Sequence, residues 1–317
     1  MLLGEISLNI VHELERFPTR YWEVTKAAIR FILSQTLVKK WRRNYIIMPA
    51  SASQLYVNPQ ENRGKVLYMM NGVTQTRLHH FWRNAVTTVQ PDLVLDVGVN
   101  YGECLFSVTY PQHCKIYGVE ANAGLKKYIE RSRKHHPNHR RIRMNYAIAT
   151  DRNEPTRTFY VHKKWSGLSS VIPKDTNDLA SYETHAVRTI TIDALLQNQP
   201  LETMKLLFKI DVEGNEYHVL QGMLRTLEKC AQTIGMIEFD SHYLLRAGCD
   251  LDQYLALLQQ HFSIYIYVKD KALVRFETIT FKKVQSLFWK KHVHTDFILV
   301  SPNQPLPELG LSVTTLP

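Results

Sequence analysis

The chain has 317 residues, enough for one large domain or two small ones with an ample core. Its 44% apolar and 21% charged residues are ordinary for a soluble globular fold, and no stretch reaches the roughly 18 apolar residues that a membrane-spanning helix needs. The 39 Lys and Arg exceed the 29 Asp and Glu, a formal net charge of +10 that favours contact with phosphate, an anionic glycan or a membrane surface.

Residues 1–12 show no basic leader ahead of an apolar stretch, so no secretory signal is expected. Residues 1–48 read as helical, with Tyr21, Val24, Ala28, Phe31 and Ile32 at helical spacing. Lys26, Arg30, Lys39, Lys40, Arg42 and Arg43 add charge, and Trp22 and Trp41 add amphipathic rings. Such a helix suits either peripheral membrane contact through residues 20–45 or, more commonly, packing on the domain or a dimer contact. Pro49 to Gly72, broken by Asn, Pro and Gly, suggests a small hairpin, and Arg77 to Val89 a helix. Strands are then predicted at 93–97, 115–119, 141–148, 205–211, 233–239, 262–268 and 296–300. Apolar stripes predict helices at 214–229 and 251–261. This alternation predicts an α/β fold, a mostly parallel sheet covered on both faces. Residues 151–193 interrupt it and are expected to form a hairpin or loop excursion. The long connection before 296–300 allows an antiparallel partner at the sheet edge, and the Pro-rich tail is expected to be extended. The expected organisation is a basic helical extension over 1–50, a hairpin and helix lead-in over 51–92, the main domain over 93–302 and the tail over 303–317.

The four cysteines, Cys104, Cys114, Cys230 and Cys249, form no Cys-x-x-Cys or zinc-finger spacing. They suit a reducing compartment, and a cytoplasmic location, with or without peripheral attachment to a membrane, is expected.

The most informative segment is Leu93 to Gly102, a buried-strand pattern running into Gly98-Val-Asn-Tyr-Gly102, followed by a second strand that ends on Glu120. A strand, a glycine turn and a second strand closed by an acid suit an adenosine-bearing cofactor, with the acid on the ribose hydroxyls. Gly98 permits a sharp turn, Asn100 tolerates a left-handed conformation, and Gly102 is expected to let the backbone approach a ligand. A nicotinamide dinucleotide needs a middle glycine that is missing here, so S-adenosylmethionine fits better. Acids also close three other predicted strands: Asp96, Asp211 and Glu238 join Glu120 at the carboxyl rim, where open α/β sheets bind ligands. The densest run is Lys209-Ile-Asp-Val-Glu-Gly-Asn-Glu216, in which Glu216 is explained as well by helix-start electrostatics as by catalysis.

Taken in order, Asp96 to Gly102, Glu120-Ala-Asn122, Asn145-Tyr-Ala147, Ser169-Ser170, Thr191-Ile-Asp193-Ala-Leu195 and Lys209 to Glu216 resemble the FkbM family of S-adenosylmethionine-dependent methyltransferases. The likeness covers roughly residues 55–300. It implies a class I methyltransferase (Rossmann-like) fold and, usually, O-methylation of sugars or hydroxylated natural products. Val99 and Ala121 depart from the family's usual alanine and proline without removing a ligand group. Under this reading Asp96, Gly98, Asn100 and Gly102 lie near the methionine end of the cofactor, Glu120 on its ribose, and Asn145 and Ala147 near adenine. The candidate base is Asp211, then Glu238, then His242 in an expected loop. The alternative use of the acids is Mg²⁺ held by Asp211, Glu213 and Glu238. The expected acceptor is a hydroxyl of a small molecule, glycan or glycolipid. A nucleic-acid methyltransferase is disfavoured by the lack of an Asn-Pro-Pro-Tyr or Asp-Pro-Pro-Tyr segment after the fourth strand. A non-catalytic partner protein is disfavoured by the presence of Asp96 and Glu120. His292 and His294 share a strand face without a third ligand in view, and oligomeric state is not legible.

Overall fold

The computed structural model describes residues 44–317 except 174, 175, 270 and 303. Most of the predicted N-terminal helical segment therefore lies outside the described residues. Within them, Tyr45–Ile47 is not helical but a strand, β1, which pairs antiparallel with β2 (Gln54–Tyr56). A helix, α1 (Asn62–Met69), occupies the stretch expected to extend the hairpin, and the Glu61 carboxylate caps it by accepting from the N–H groups of Arg63 and Gly64. Helix α2 (Thr76–Val89) buries Leu78, Phe81, Trp82, Ala85, Val86 and Val89, the stripe that its periodicity predicts.

The main sheet begins with β3 (Leu93–Val97), fully buried, and β4 (Lys115–Glu120). Helix α3 (Lys126–Lys134) leads to β5 (Ile142–Tyr146). The excursion contains β6 (Ile148–Ala149), β7 (Arg157–His162), β8 (Tyr182–Val187) and β9 (Thr189–Ile190). β7 and β8 form the expected antiparallel hairpin, while β6 and β9 pair in parallel. After the short α4 (Ile192–Leu195) the chain returns to the sheet as β10 (Lys205–Ile210). The helix expected over 214–229 is two, α5 (Glu216–Gln221) and α6 (Leu224–Lys229). The break falls at Gly222, where a Cβ would run into the Thr150 carbonyl.

Then follow β11 (Gln232–Asp240), α7 (Ser241–Arg246), α8 (Leu251–His261), β12 (Ser263–Lys269), β13 (Ala272–Phe276), α9 (Phe281–Phe288), β14 (His294–Val300) and β15 (Ser312–Leu316). The nine-stranded order is β15-β13-β12-β14-β11-β10-β3-β4-β5. β5, β4, β3, β10 and β11 are mutually parallel, whereas β14 is antiparallel to both β11 and β12. The antiparallel strand thus enters the interior of the sheet rather than its edge. The tail is not merely extended, since β15 adds to β13 in parallel.

Alternation along β3 sends Val94 into the core cluster under α2 and α3, and Leu93, Leu95 and Val97 into the cluster under α5, α7 and α8. Both faces are therefore covered, and the carboxyl ends of β3, β4, β10 and β11 share one open rim.

One buried charge fastens the lead-in to this sheet. The Glu103 carboxylate, just past β3, accepts from Arg63 at 2.7 Å, from the Thr74 N–H and hydroxyl, from the Gln75 N–H and from His79. Burial opposes its charge, but Arg63, His79 and Thr74 together hold the carboxyl down to about 2. A folded pKa below the unfolded one contributes stability above the unfolded value of 4.5, lost as pH falls towards 2. Urea unfolding should find Glu103→Gln about 3 kcal/mol less stable than the parent near neutral pH, with the gap closing between about pH 5 and pH 2.

Candidate active site

The turn after β3 is set by its backbone. Gly98 has φ of 80° and Asn100 φ of 51°, the conformation that the sequence assigned to both. A Cβ on Gly98 would run into the Asp211 carbonyl, so the first and fourth strand ends pack directly together. Gly102, with φ of 88°, serves a different purpose from the one expected. The space of its absent Cβ is filled by the Phe106 ring rather than left for a ligand, and Gly102 does not line the cavity.

Above this turn opens a cavity of ≈ 950 Å³, the open solvent at its mouth included. Gly98, Asn100, Glu120 and Ala147 line it from the β3, β4 and β5 ends, and Asp211 and Glu213 from the β10 end. The excursion supplies a third wall with Phe159, Trp165, Ser166, Ser169 and Val171. One oxygen of Glu120 accepts from the Asn100 N–H at 2.6 Å and the other from the Asn122 N–H at 2.7 Å. Each carboxylate oxygen keeps a second lone-pair site, so Glu120 can still accept from a ligand. Burial raises its pKa, against those two backbone donors.

Asp96 and Asn145 do not line the cavity. Asp96 faces inward from the middle of the sheet and is fully buried. Its counter-charge is the Lys209 ammonium at 3.5 Å, and neither of its oxygens has a well-formed hydrogen bond. Burial pushes its carboxyl up to about 6, against the attraction of Lys209. Asn145 is half-buried on β5, one strand beyond Val119.

Lys209 was quoted in the sequence without a role. Its ammonium, buried at the end of β10, donates to the Gly98 carbonyl at 2.7 Å and lies 3.4 Å from Asp211 Oδ2. A buried lysine is rare without partners, which was the available signal. Glu216, also buried, accepts from the N–H groups of Val212 at 3.0 Å and Gly214 at 2.9 Å. It therefore shapes the turn that carries Glu213, whose φ is 56°. Burial, then the charge of Glu238, pushes the Glu216 carboxyl up to about 8, although its two backbone donors favour the charged form.

Asp211, Glu213 and Glu238 converge, each offering a carboxylate oxygen within 4.8 Å of the others. Glu238 is buried behind the cavity wall and bonded to His294 at 2.8 Å. His242 is on a helix, α7, rather than a loop. It is exposed, packs edge-on against His292 at 5.3 Å and does not line the cavity.

Sequence reasoning missed Glu61 altogether. Its carboxylate accepts from the Ser166 N–H at 2.7 Å and the Tyr101 hydroxyl at 3.0 Å, and Asn100 Nδ2 donates to the Ser166 hydroxyl at 3.2 Å. The excursion is thereby tied down over the glycine turn. No sequence motif marks Glu61, because its partners are 40 and 105 positions away.

A sheet of this order, with β14 set antiparallel between β11 and β12 and an acid-rimmed cavity above the first parallel strands, is a class I methyltransferase fold. The family model described as the methyltransferase FkbM domain matches residues 96–264, and the chain belongs to that family. Solved structures with similarity include a methyltransferase FkbM from Methylobacillus flagellatus KT, at 15% identity over 66% of this chain with a TM-score of 0.37. This chain spans 44% of the length of that protein. The O-methyltransferase TomG from Streptomyces achromogenes, solved with SAM, is 8% identical, with 89% of this chain and 99% of its own covered and a TM-score of 0.42. An O-methyltransferase from Bacillus cereus, solved with SAH, is 9% identical over 90% of this chain and 92% of its own, with a TM-score of 0.39. No curated protein matches the chain.

Removing the Lys209 charge leaves Asp96 buried without a counter-ion. Lys209→Met should therefore lose about 3 kcal/mol in denaturant unfolding, and adding Asp96→Asn should restore part of the loss.

Proposed function

We propose that the protein is an S-adenosylmethionine-dependent O-methyltransferase. The observation that carries this reading is one cavity with Gly98, Asn100 and Glu120 on one wall and Asp211 and Glu213 on another. The first wall suits a nucleoside with an amino-acid arm: Glu120 accepts from ribose hydroxyls, and the Gly98 to Asn100 backbone lies beside the methionine end. Ala147 and Ile148 form an apolar bed suited to adenine. The second wall belongs to the acceptor.

Bound S-adenosylmethionine supplies an electrophilic methyl on a sulfonium. The chain's own part is to hold an acceptor oxygen in line with that methyl and to manage its proton. Asp211 is the assigned base, because among the carboxylates named for that task it alone lines the cavity. The Lys209 ammonium orients it. Glu238 lies behind, with a carboxylate oxygen within 4.8 Å of those of Asp211 and Glu213. The walls of Trp165, Phe159 and Val171 exclude water from the line of transfer. The acceptor is a hydroxyl of a sugar, glycolipid or natural product.

A second reading is favoured by the convergence of Asp211, Glu213 and Glu238: the three carboxylates hold Mg²⁺, which polarises the acceptor hydroxyl. Activity that EDTA abolishes and Mg²⁺ restores supports the metal. Activity indifferent to both leaves Asp211 as the base.

Thermal-shift titration should show stabilisation by S-adenosylmethionine and S-adenosylhomocysteine and none by NAD; the opposite ranking would overturn the assignment. Glu120→Ala should weaken S-adenosylmethionine by roughly 2 kcal/mol in calorimetry. Asp211→Asn should keep cofactor affinity while methyl transfer to the acceptor falls about a hundredfold or more.

A further inference from the structure

We infer that the mouth of the cavity is a docking rim for an anionic lipid bilayer. Trp289 is 92% exposed, whereas Trp82 and Trp165 are buried. It caps α9 in a left-handed conformation, with φ of 54°, and is followed by exposed Lys290 and Lys291. Because β14 is antiparallel to β11, with His294 opposite Asp240, this loop lies at the same rim as the acids.

Two neighbouring segments join it there. Helix α7 is bonded to the loop through Ser241 and Val293, and its His242 ring meets that of His292. It exposes Leu245 by 49%. Arg246 donates to the Pro173 carbonyl at 2.8 Å, linking α7 to the excursion that walls the cavity, and the excursion exposes Leu179 by 52%. Among the described residues five large apolar side chains are this exposed, and three of them belong to these joined segments. The other two, Ile47 and Val313, lie on β1 and on the edge strand β15.

Single apolar tips on separate loops beside paired lysines match a headgroup boundary better than a flat protein partner, which requires one continuous patch. Leucine offers neither hydrogen bonds nor a stacking face to a nucleic acid, whereas Trp and Lys both place an apolar body in the boundary and a polar end in water. The exposed Lys290 and Lys291 beside Trp289 complement anionic headgroups. This pose suits an acceptor hydroxyl carried by a lipid, a consequence that rests on the methyl-transfer reading.

The test is co-sedimentation of the full chain with vesicles of phosphatidylcholine, with and without phosphatidylserine. Calorimetry with S-adenosylmethionine on the same samples serves as the folding control. Binding should require phosphatidylserine. Trp289→Ala with Leu245→Ser should weaken it about tenfold, and Lys290→Glu with Lys291→Glu by as much or more, while all variants bind the cofactor as the parent does. No vesicle binding, or binding that both double variants leave unchanged, overturns the inference. So does self-association that Trp289→Ala abolishes, or tighter binding to an RNA duplex than to the vesicles. If vesicles bind as expected but S-adenosylmethionine does not bind the parent chain, the methyl-transfer reading fails and the docking rim stands.

Discussion

The site depends on one buried ammonium. Lys209 sits where the ends of β3 and β10 meet and answers three acceptors at once, the Gly98 carbonyl, Asp96 and Asp211. Each acceptor is costly to bury alone, and a lysine is costly to bury without them. Together they offset one another, and the result is geometric: the glycine turn on one wall of the cavity is held against the strand end on the other. Asp96 is therefore a support beneath the cavity, and Asp211 is its exposed counterpart. The ammonium's pKa rises through its attraction to both carboxylates in spite of burial, so it stays charged across any working pH.

Around that centre the chain uses carboxylates for two unlike tasks. Glu103, Glu61 and Glu216 accept from backbone or side-chain donors on both oxygens and act as fasteners, tying down the lead-in, the excursion and the turn before α5. Asp211, Glu213 and Glu238 converge on one another instead, which gathers three carboxyl groups at the ends of β10 and β11. The difference lies in what surrounds each acid, not in the residue type. The excursion contributes apolar walls inside and an exposed Leu179 outside, so one insertion both closes the cavity and shapes its approach.

Much of the fold was legible. The seven strands expected for the main sheet are present, six of them as largely buried runs, while the one expected over 141–148 ends at Tyr146 and Ile148–Ala149 pairs with β9 instead. The 251–261 helix matches α8 because Leu251, Tyr254, Leu255 and Leu258 keep strict helical spacing. The errors have physical causes. β1 has only three residues, and the five-residue β13 and β15 bury too few side chains for a period to show. The break between α5 and α6 comes from the Thr150 carbonyl, which is 72 positions from Gly222 and invisible to any local pattern.

The sequence by itself determined the layered sheet, the left-handed turn at Gly98 and Asn100, and the acids at the strand ends, since these follow from local periodicity and backbone sterics. Only the tertiary structure decided which acids face the cavity. Asp96 and Asp211 read alike as strand-ending carboxylates, yet one points into the core and the other into the cavity. His242 looked near the site and turned out to lie on the outer surface of a helix. The reason is physical: a side chain's direction at a strand end depends on pleat and neighbouring turns, and its ionisation on partners brought from distant segments, neither of which is written in local order.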